Sequence, residues 1–419
     1  MITNEIKNRN LFLNIFIFDA NTNVTTDSGL SAEMKTYYEK RLIELAEPHL
    51  IHDQFGDKYP IPKGSGKTIE FRQYDSLPKA LKPITEGVTP DGLKLNVEAK
   101  TATVEQYGAW ISLSDVLELT AIDNNIVQAT KKLASQAGRT LDTVTRDVIN
   151  GGTSVRFAPK VSGSTATEVG ARKDLDNTAL LTPDLIFKVK ADLAAVNADP
   201  IDDCYVGIIH PYVAYDLMRN PEWIDVHKYA QPENIYKGEI GKLGGVRFVE
   251  TSEAKIFAPA VISDGLNKLT VKTAINSSTT SVVVKEKLTA GTNLSIPVYI
   301  DGNANKITAI TAAADSSTLT VETTITSLNA NKLIFGTGGT KDGLAVFSTL
   351  IIGANAYGTT ELEGGGLQHI VKPKGAGEDP LNQRSSCGWK ATKVAERLVE
   401  SYMERIESCS SYSGTAVAN

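Results

Sequence analysis

The chain has 419 residues, of which 41% are hydrophobic and 22% charged, with a formal net charge of -6. Composition near the globular average excludes a disordered or fibrous chain, and the acidic balance argues against a dedicated nucleic-acid binder. Length suggests two or three domains at about 150 residues each. Cys204, Cys387 and Cys409 are scattered and odd in number. They make neither a disulfide framework nor a CxxC zinc site, and read as free thiols in a reducing compartment.

Lys7 and Arg9 precede the apolar run Leu11 to Phe18, as in a secretory leader. Asn14 interrupts that run, and polar residues 19–23 replace the small-residue cleavage site, so the leader reading is set aside. The run is also too short to span a bilayer, and no membrane partner is expected. Residues 1 to about 27 are rich in Asn and Thr and read as a mobile arm. Ser31 then opens a helical pattern through Met34, Tyr38, Leu42, Leu45 and Ala46, closed by Pro48.

From Lys67 the period becomes two, with Ile69 and Phe71 alternating with Glu70 and Arg72. A turn-rich stretch bearing Pro78, Pro83, Gly87, Pro90 and Gly92 follows. A second alternating run, Leu95, Val97, Ala99, Thr101 and Thr103, leads on to Trp110 and Ile111. The two runs describe an extended hairpin over 67–111. A two-stranded ribbon is marginal in water, so its faces need a helix or a neighbouring subunit. Ile69, Phe71, Leu95 and Val97 are therefore the candidate interface residues.

Ser114 is placed to cap a helical region that runs, with a break near Asp123, to Asn150. Val127, Leu133, Ala137, Leu141, Val144 and Val148 recur there at helical spacing. From Asn124 this is about 40 Å of helix, stopped by Gly151 and Gly152. Thr182-Pro183-Asp184 is a helix start, with a capping hydroxyl, a first-turn proline and an acid at the positive end of the dipole. Leu185, Ile186, Val189, Leu193 and Val196 supply its buried face. Cys204 to Ile209 reads as a short apolar strand, turned by His210-Pro211 into another helix.

Between about 260 and 342 Ser and Thr dominate, without Trp, Cys, His, Met or Arg. Six short β-favouring runs at 269–272, 281–284, 296–300, 306–310, 318–324 and 332–335 describe a small all-β domain inserted in a loop.

No set of residues assembles an active site, and no cofactor or metal is expected. Gly64-Ser65-Gly66-Lys67-Thr68 resembles the end of a phosphate-binding loop. Ile61 stands where that motif needs its first glycine, and a strand follows where it needs a helix. His49, His52 and Asp53 lack the supporting pattern of a metal site and read as solvent-exposed. Gly364-Gly365-Gly366 lacks dinucleotide-binding spacing, and no GxSxG elbow occurs.

Several segments taken together resemble a known family. They are residues 26–36 (Thr26-Asp27-Ser28-Gly29-Leu30 onward), Pro62-Lys63-Gly64-Ser65-Gly66-Lys67 with Ile69-Glu70-Phe71-Arg72, and Ile209-His210-Pro211. Ile235-Tyr236-Lys237-Gly238-Glu239, Gly245-Val246-Arg247-Phe248, Gly388-Trp389-Lys390 and Arg405-Ile406-Glu407 complete the set. In this order they resemble the major capsid protein of tailed double-stranded DNA bacteriophages, in the branch that includes the coliphage N-four capsid protein. The similarity covers about 26–257 and 343–410.

The resemblance implies an α+β chain with the capsid fold named after coliphage Hong Kong ninety-seven. It implies an N-terminal arm over 1–60, an E-loop hairpin over 61–113 and a peripheral domain with its spine helix over 114–199. An axial domain over 200–260 and 343–372 would be interrupted by the 261–342 insertion, with a peripheral return over 373–419. It further implies self-assembly into hexamers and pentamers of an icosahedral head, in the host cytoplasm. That head would enclose DNA without sequence-specific binding and meet portal, scaffold and decoration proteins. Lys79, Lys82, Lys94 and Lys100 lie where some relatives of the fold crosslink, although a solvated loop is the simpler reading. A cellular compartment shell of the same fold and a nucleotide-using hydrolase are the alternatives.

Overall fold

The computed structural model describes residues 22–23, 51–74, 77–81, 83, 92–120, 125–163, 165–224, 241–373 and 381–419. The helix expected from Ser31 to Ala46, His49 and the 235–240 motif lie outside the described residues. Two compact units are present. One comprises Met1–Glu47, Asp57–Thr145 and Gly358–Glu396, the other Pro48–Gly56, Arg146–Tyr357 and Arg397–Asn419.

The first unit is organised by one long antiparallel pair. Glu105–Ser114 runs beside Arg384–Arg397, in register from Glu105 opposite Lys393 to Ser114 opposite Arg384. Gln368–Lys372 pairs along the other side of Arg384–Arg397, and Thr22–Asn23 adds a short parallel strand beside Ser112 and Leu113. Because strand side chains alternate, Tyr107, Ala109, Ile111, Cys387, Trp389 and Ala391 share one face. That face packs on Leu133, Ala137 and Leu141.

The expected second limb of the hairpin is two strands. Val97–Thr103 pairs with Thr68–Tyr74, whereas Glu105–Ser114 belongs to the sheet just described. The alternating pattern spans both because each has one sheltered face, and periodicity cannot mark where a chain changes partner.

Helix α1, Asp115–Thr120, is capped as expected, with Leu117 N–H donating to Ser114 Oγ at 3.2 Å. Helix α2 spans Asn125–Asn150. Leu133 and Ala137 are buried, but Val127 is exposed, and the sheltered side also carries Asp142, Thr145 and Arg146. A purely apolar stripe does not anticipate those polar members.

In the second unit a seven-stranded sheet runs in the order Lys242–Leu243, Val246–Glu250, Tyr205–Ile209, Val346–Ile352, Met403–Ser408 and Val155–Phe157, with Ile256–Phe257 beside Val346–Ile352. Every residue of its three central strands is buried, as in a sheet covered on both faces. On one face lie helices α3, Pro183–Ala195, and α4, Pro211–Met218, through Ile186, Val189, Val213 and Leu217. On the other, Ile51, Ile149 and Tyr357 pack against Val206, Ile208, Leu350 and Ile352.

Helix α3 begins at Pro183, but the Thr182 hydroxyl makes no capping bond. Val196 falls past its end and is exposed. Helix α4 has a cap the sequence did not announce, since His210 Nδ1 accepts from Tyr212 N–H at 3.2 Å. The imidazole is buried, and burial lowers its pKa from 6.5 to about 4.

The six β runs of the insertion fold as Lys268–Thr270, Thr279–Val284, Ile296–Ile300, Asn303–Ala312, Ser317–Ile325 and Leu333–Gly336. Their sheet closes on itself. Lys272 N–H donates to Val283 O at 2.7 Å and Lys285 N–H to Thr270 O at 2.9 Å, joining the first and last strands of the ladder. Closure removes the free edges that would pair with other chains. The interior is aliphatic, including Leu269, Val282, Val298, Ile307, Leu319 and Ile334.

The stem of this barrel is tight. Ala260 N–H donates to Thr337 O at 2.8 Å, and a Cβ on Gly336 would lie 2.0 Å from Ala260 O, so only glycine fits. Nearby, Arg172 grips Glu407 through two bonds of 2.6 Å, and Arg405 Nε donates to the same carboxylate at 2.9 Å. Arg172 also lies 3.4 Å over the Phe257 ring. Glu407 is fully buried, and its charge is satisfied by the two guanidinium groups.

Three outcomes are expected. Glu407→Ala leaves Arg172 and Arg405 facing each other without their anion and costs about 3–5 kcal/mol by urea denaturation; a loss under about 1 kcal/mol would contradict the hub. Replacing 262–336 with a Gly-Ser linker leaves the remaining chain cooperatively folded by calorimetry, because the barrel carries its own core. For His210, the folded pKa lies below the unfolded value, so stability held above pH 6.5 falls as pH drops toward 4. The loss is roughly 3 kcal/mol at 1.36 kcal/mol per pKa unit. His210→Asn keeps a capping acceptor and flattens that limb of a plot of Tm against pH.

Candidate assembly surfaces

The hairpin positions its four candidate residues on two faces. Ile69 lies opposite Ala102 and Phe71 opposite Lys100, while Val97 lies opposite Tyr74 on the reverse side. The Phe71 side is half-sheltered, with Tyr59 edge-on to Phe71 at 5.4 Å between centroids. Val97 is exposed, and Leu95, also exposed, precedes the paired strand. The strands thus bring together Ile69 with Phe71, and Val97 with Tyr74, but not all four. Leu77, Leu81 and Leu93 in the connection are exposed too, and periodicity did not single them out.

A second surface lies on the open face of the first unit's sheet. Trp110 sits opposite Gly388, and Gly388 lies opposite Ile370 on the next strand. The glycine forms the floor of a groove of about 390 Å³ with Trp110 and Ile370 among its lining residues. Trp110 is 67% exposed, whereas Trp389, on the opposite face, is 5% exposed and donates Nε1–H to Gln136 Oε1 at 3.3 Å. In sequence Trp110 marks only the end of an alternating run, and the pairing with Gly388 places it on this surface.

The other sequence candidates have structural roles. Gly64 and Gly66 adopt left-handed φ values of 88° and 85° in a turn closed by Ser65 N–H to Pro62 O, and the strand Thr68–Tyr74 follows. Gly365 packs against Thr392, whose N–H and hydroxyl both donate to its carbonyl at 2.8 Å. His52, expected at the surface, is buried, and its carbonyl accepts from the Tyr357 hydroxyl at 2.5 Å. The three thiols are buried. Burial raises the Cys387 pKa and pushes that of Cys409 up to about 12, keeping both in the unreactive thiol form. Among the described residues no group of three His, Cys, Asp or Glu side chains is placed to hold a metal.

Hairpin, sheet with its long helix, second sheet and inserted barrel make an α+β chain with the Hong-Kong-ninety-seven type of fold seen in solved phage capsids. Solved structures with this fold include the capsid of cyanophage P-SCSP1u, at 14% identity and TM-score 0.56, covering 92% of this chain and 96% of that one. The capsid of Ralstonia phage GP4 matches at 10% identity and TM-score 0.54, covering 93% and 98%. The capsid asymmetric unit of cyanophage Pam1 matches at 11% and 0.54, covering 93% and 99%. No curated protein matches the chain. The family described as phage capsid protein matches residues 76–374, most of the length, and the chain belongs to that family. It is a major capsid protein and forms the phage head shell. That membership favours a phage head over a cellular compartment or a nucleotide-using hydrolase.

Proposed function

We propose that this shell subunit assembles as hexamers and pentamers of itself, in the branch that includes the coliphage N-four capsid protein. Assembly takes place in the host cytoplasm, and the head encloses double-stranded DNA without reading its sequence. Portal, scaffold and decoration proteins are its further partners. Its role is structural, with no catalytic step. Within the chain, 61–113 acts as the E-loop, 114–199 as the peripheral domain and 200–260 with 343–372 as the axial domain. Residues 373–419 return to the peripheral domain, and 1–60 serve as the arm. The barrel projects outward, since its seven lysines are set against six acidic residues and it has no arginine, a weak match for DNA phosphates.

The hairpin carries this reading. A two-stranded ribbon with Tyr74, Val97, Leu77, Leu81, Leu93 and Leu95 all exposed is marginal by itself in water. Its stabilisation comes from a neighbouring subunit. Deleting 76–94 is expected to give a soluble, folded subunit that yields no shells by electron microscopy and sedimentation. Normal shells from that deletion would sink the assignment.

A further inference from the structure

We propose that Arg146, Lys255 and the main chain of 252–256 form a recognition site for an asparaginyl peptide, and that residues 411–419 are its resident ligand, a detachable strap. The inference is independent of how subunits assemble, because site and strap both lie within the second unit.

Asn419 is read through both its side chain and its main chain. Its Oδ1 accepts from Ile256 N–H at 3.0 Å, and its Nδ2 donates to Ala254 O at 2.7 Å. Ser348 N–H donates to Lys255 O at 3.0 Å, so Lys255 faces the strand Val346–Ile352 while Ala254 O and Ile256 N–H face the other way. A C=O and an N–H two residues apart are the groups that one residue of an adjacent parallel strand would bond. The planar amide of Asn419 therefore stands in for a strand along this edge.

The main-chain oxygen of Asn419 accepts from Arg146 Nη2 at 3.0 Å and from Lys255 Nζ at 3.4 Å. One acid positions both cations, since Asp147 Oδ1 accepts from Arg146 Nε at 3.1 Å and from Lys255 Nζ at 3.0 Å. Arg146 Nη1 donates to Glu253 O at 3.0 Å, and the Arg146 side chain is only 1% exposed. A buried guanidinium needs its donors met, and Asn419 O meets one of them. Selectivity follows from the same geometry. Aspartate at 419 would set an acceptor against Ala254 O, and glutamine would move the amide one methylene away from the main-chain oxygen that Arg146 holds.

The rest of the strap is lightly held. Residues 411–419 form no helix or strand. Ser411 N–H donates to Asp216 Oδ2 at 2.9 Å, and Ala345 N–H donates to Gly414 O at 2.8 Å. The Tyr412 ring lies against Tyr212 yet is 61% exposed. Among the described residues none hydrogen-bonds to 415–418, and Val417 is 82% exposed. A stretch with so few buried contacts opens at low cost, so Asn419 behaves as a ligand on a tether. Its release leaves the Ile256 N–H without an acceptor and uncovers the Arg146 guanidinium.

Hydrogen exchange and arginine modification of the full-length chain test this. Asn419→Ala, Asn419→Asp and Asn419→Gln should each speed exchange at the Ile256 amide about 10-fold, the size of a lost hydrogen bond. Each should also let phenylglyoxal modify Arg146, while the amide of Ile208, in a buried central strand, keeps its parental rate. Parental protection of Ile256 and Arg146 in all three variants would overturn the site, and so would equal acceleration at Ile208, the mark of general destabilisation. For separability, a variant lacking 415–419 receives an amide-capped peptide of residues 414–419 at millimolar concentration. The peptide should restore protection of Ile256 and Arg146, and its Asn419→Asp form should need about 10-fold more for the same effect. If the shortened chain fails to fold, the same two peptides are added to the full-length Asn419→Ala variant. No rescue, or equal rescue by both peptides, sinks the proposal.

Discussion

The pairing of Glu105–Ser114 with Arg384–Arg397 is the constraint on which the first unit depends. It joins segments 270 to 288 residues apart in sequence and fixes register over ten consecutive pairs. Strand side chains alternate, so a slip of one residue exchanges the faces. Trp389 would leave its place over Leu133 and Ala137, and Gly388 would turn toward the helix. The same register sets Trp110 on the open side above Gly388. One ladder therefore decides both which aromatic is core and which is exposed.

The second unit solves a different problem. Its central strands are buried throughout, and it accepts an insertion of about eighty residues without disturbing them. This works because the barrel closes its own ladder and leaves the host only a narrow stem. Close approach at Gly336, together with the bond from Lys341 N–H to Lys173 O, holds that stem near Arg172. Arg172 in turn shares Glu407 with Arg405 on the host strand. The polar hub substitutes directional bonds for the apolar area that a narrow stem cannot bury.

Much of this was legible in the sequence where local chemistry and final environment agree. The six runs of the insertion, the Ser114 cap, the long helix and the Pro183 start each depend on neighbours within a few residues. Legibility failed where distant partners decide. Val97 to Ile111 reads as one alternating run, but residues 97–103 pair with Thr68–Tyr74 and residues 105–114 with a strand far along the chain. His210 carried no capping signal, because its Nδ1 accepts only in the neutral tautomer protonated at Nε2, which the sequence does not specify. Phe71 and Val97 gave the same alternating signal, and only the cross-strand register shows that they point opposite ways. Trp110 and Gly388 are brought together only by the register of strands far apart in sequence.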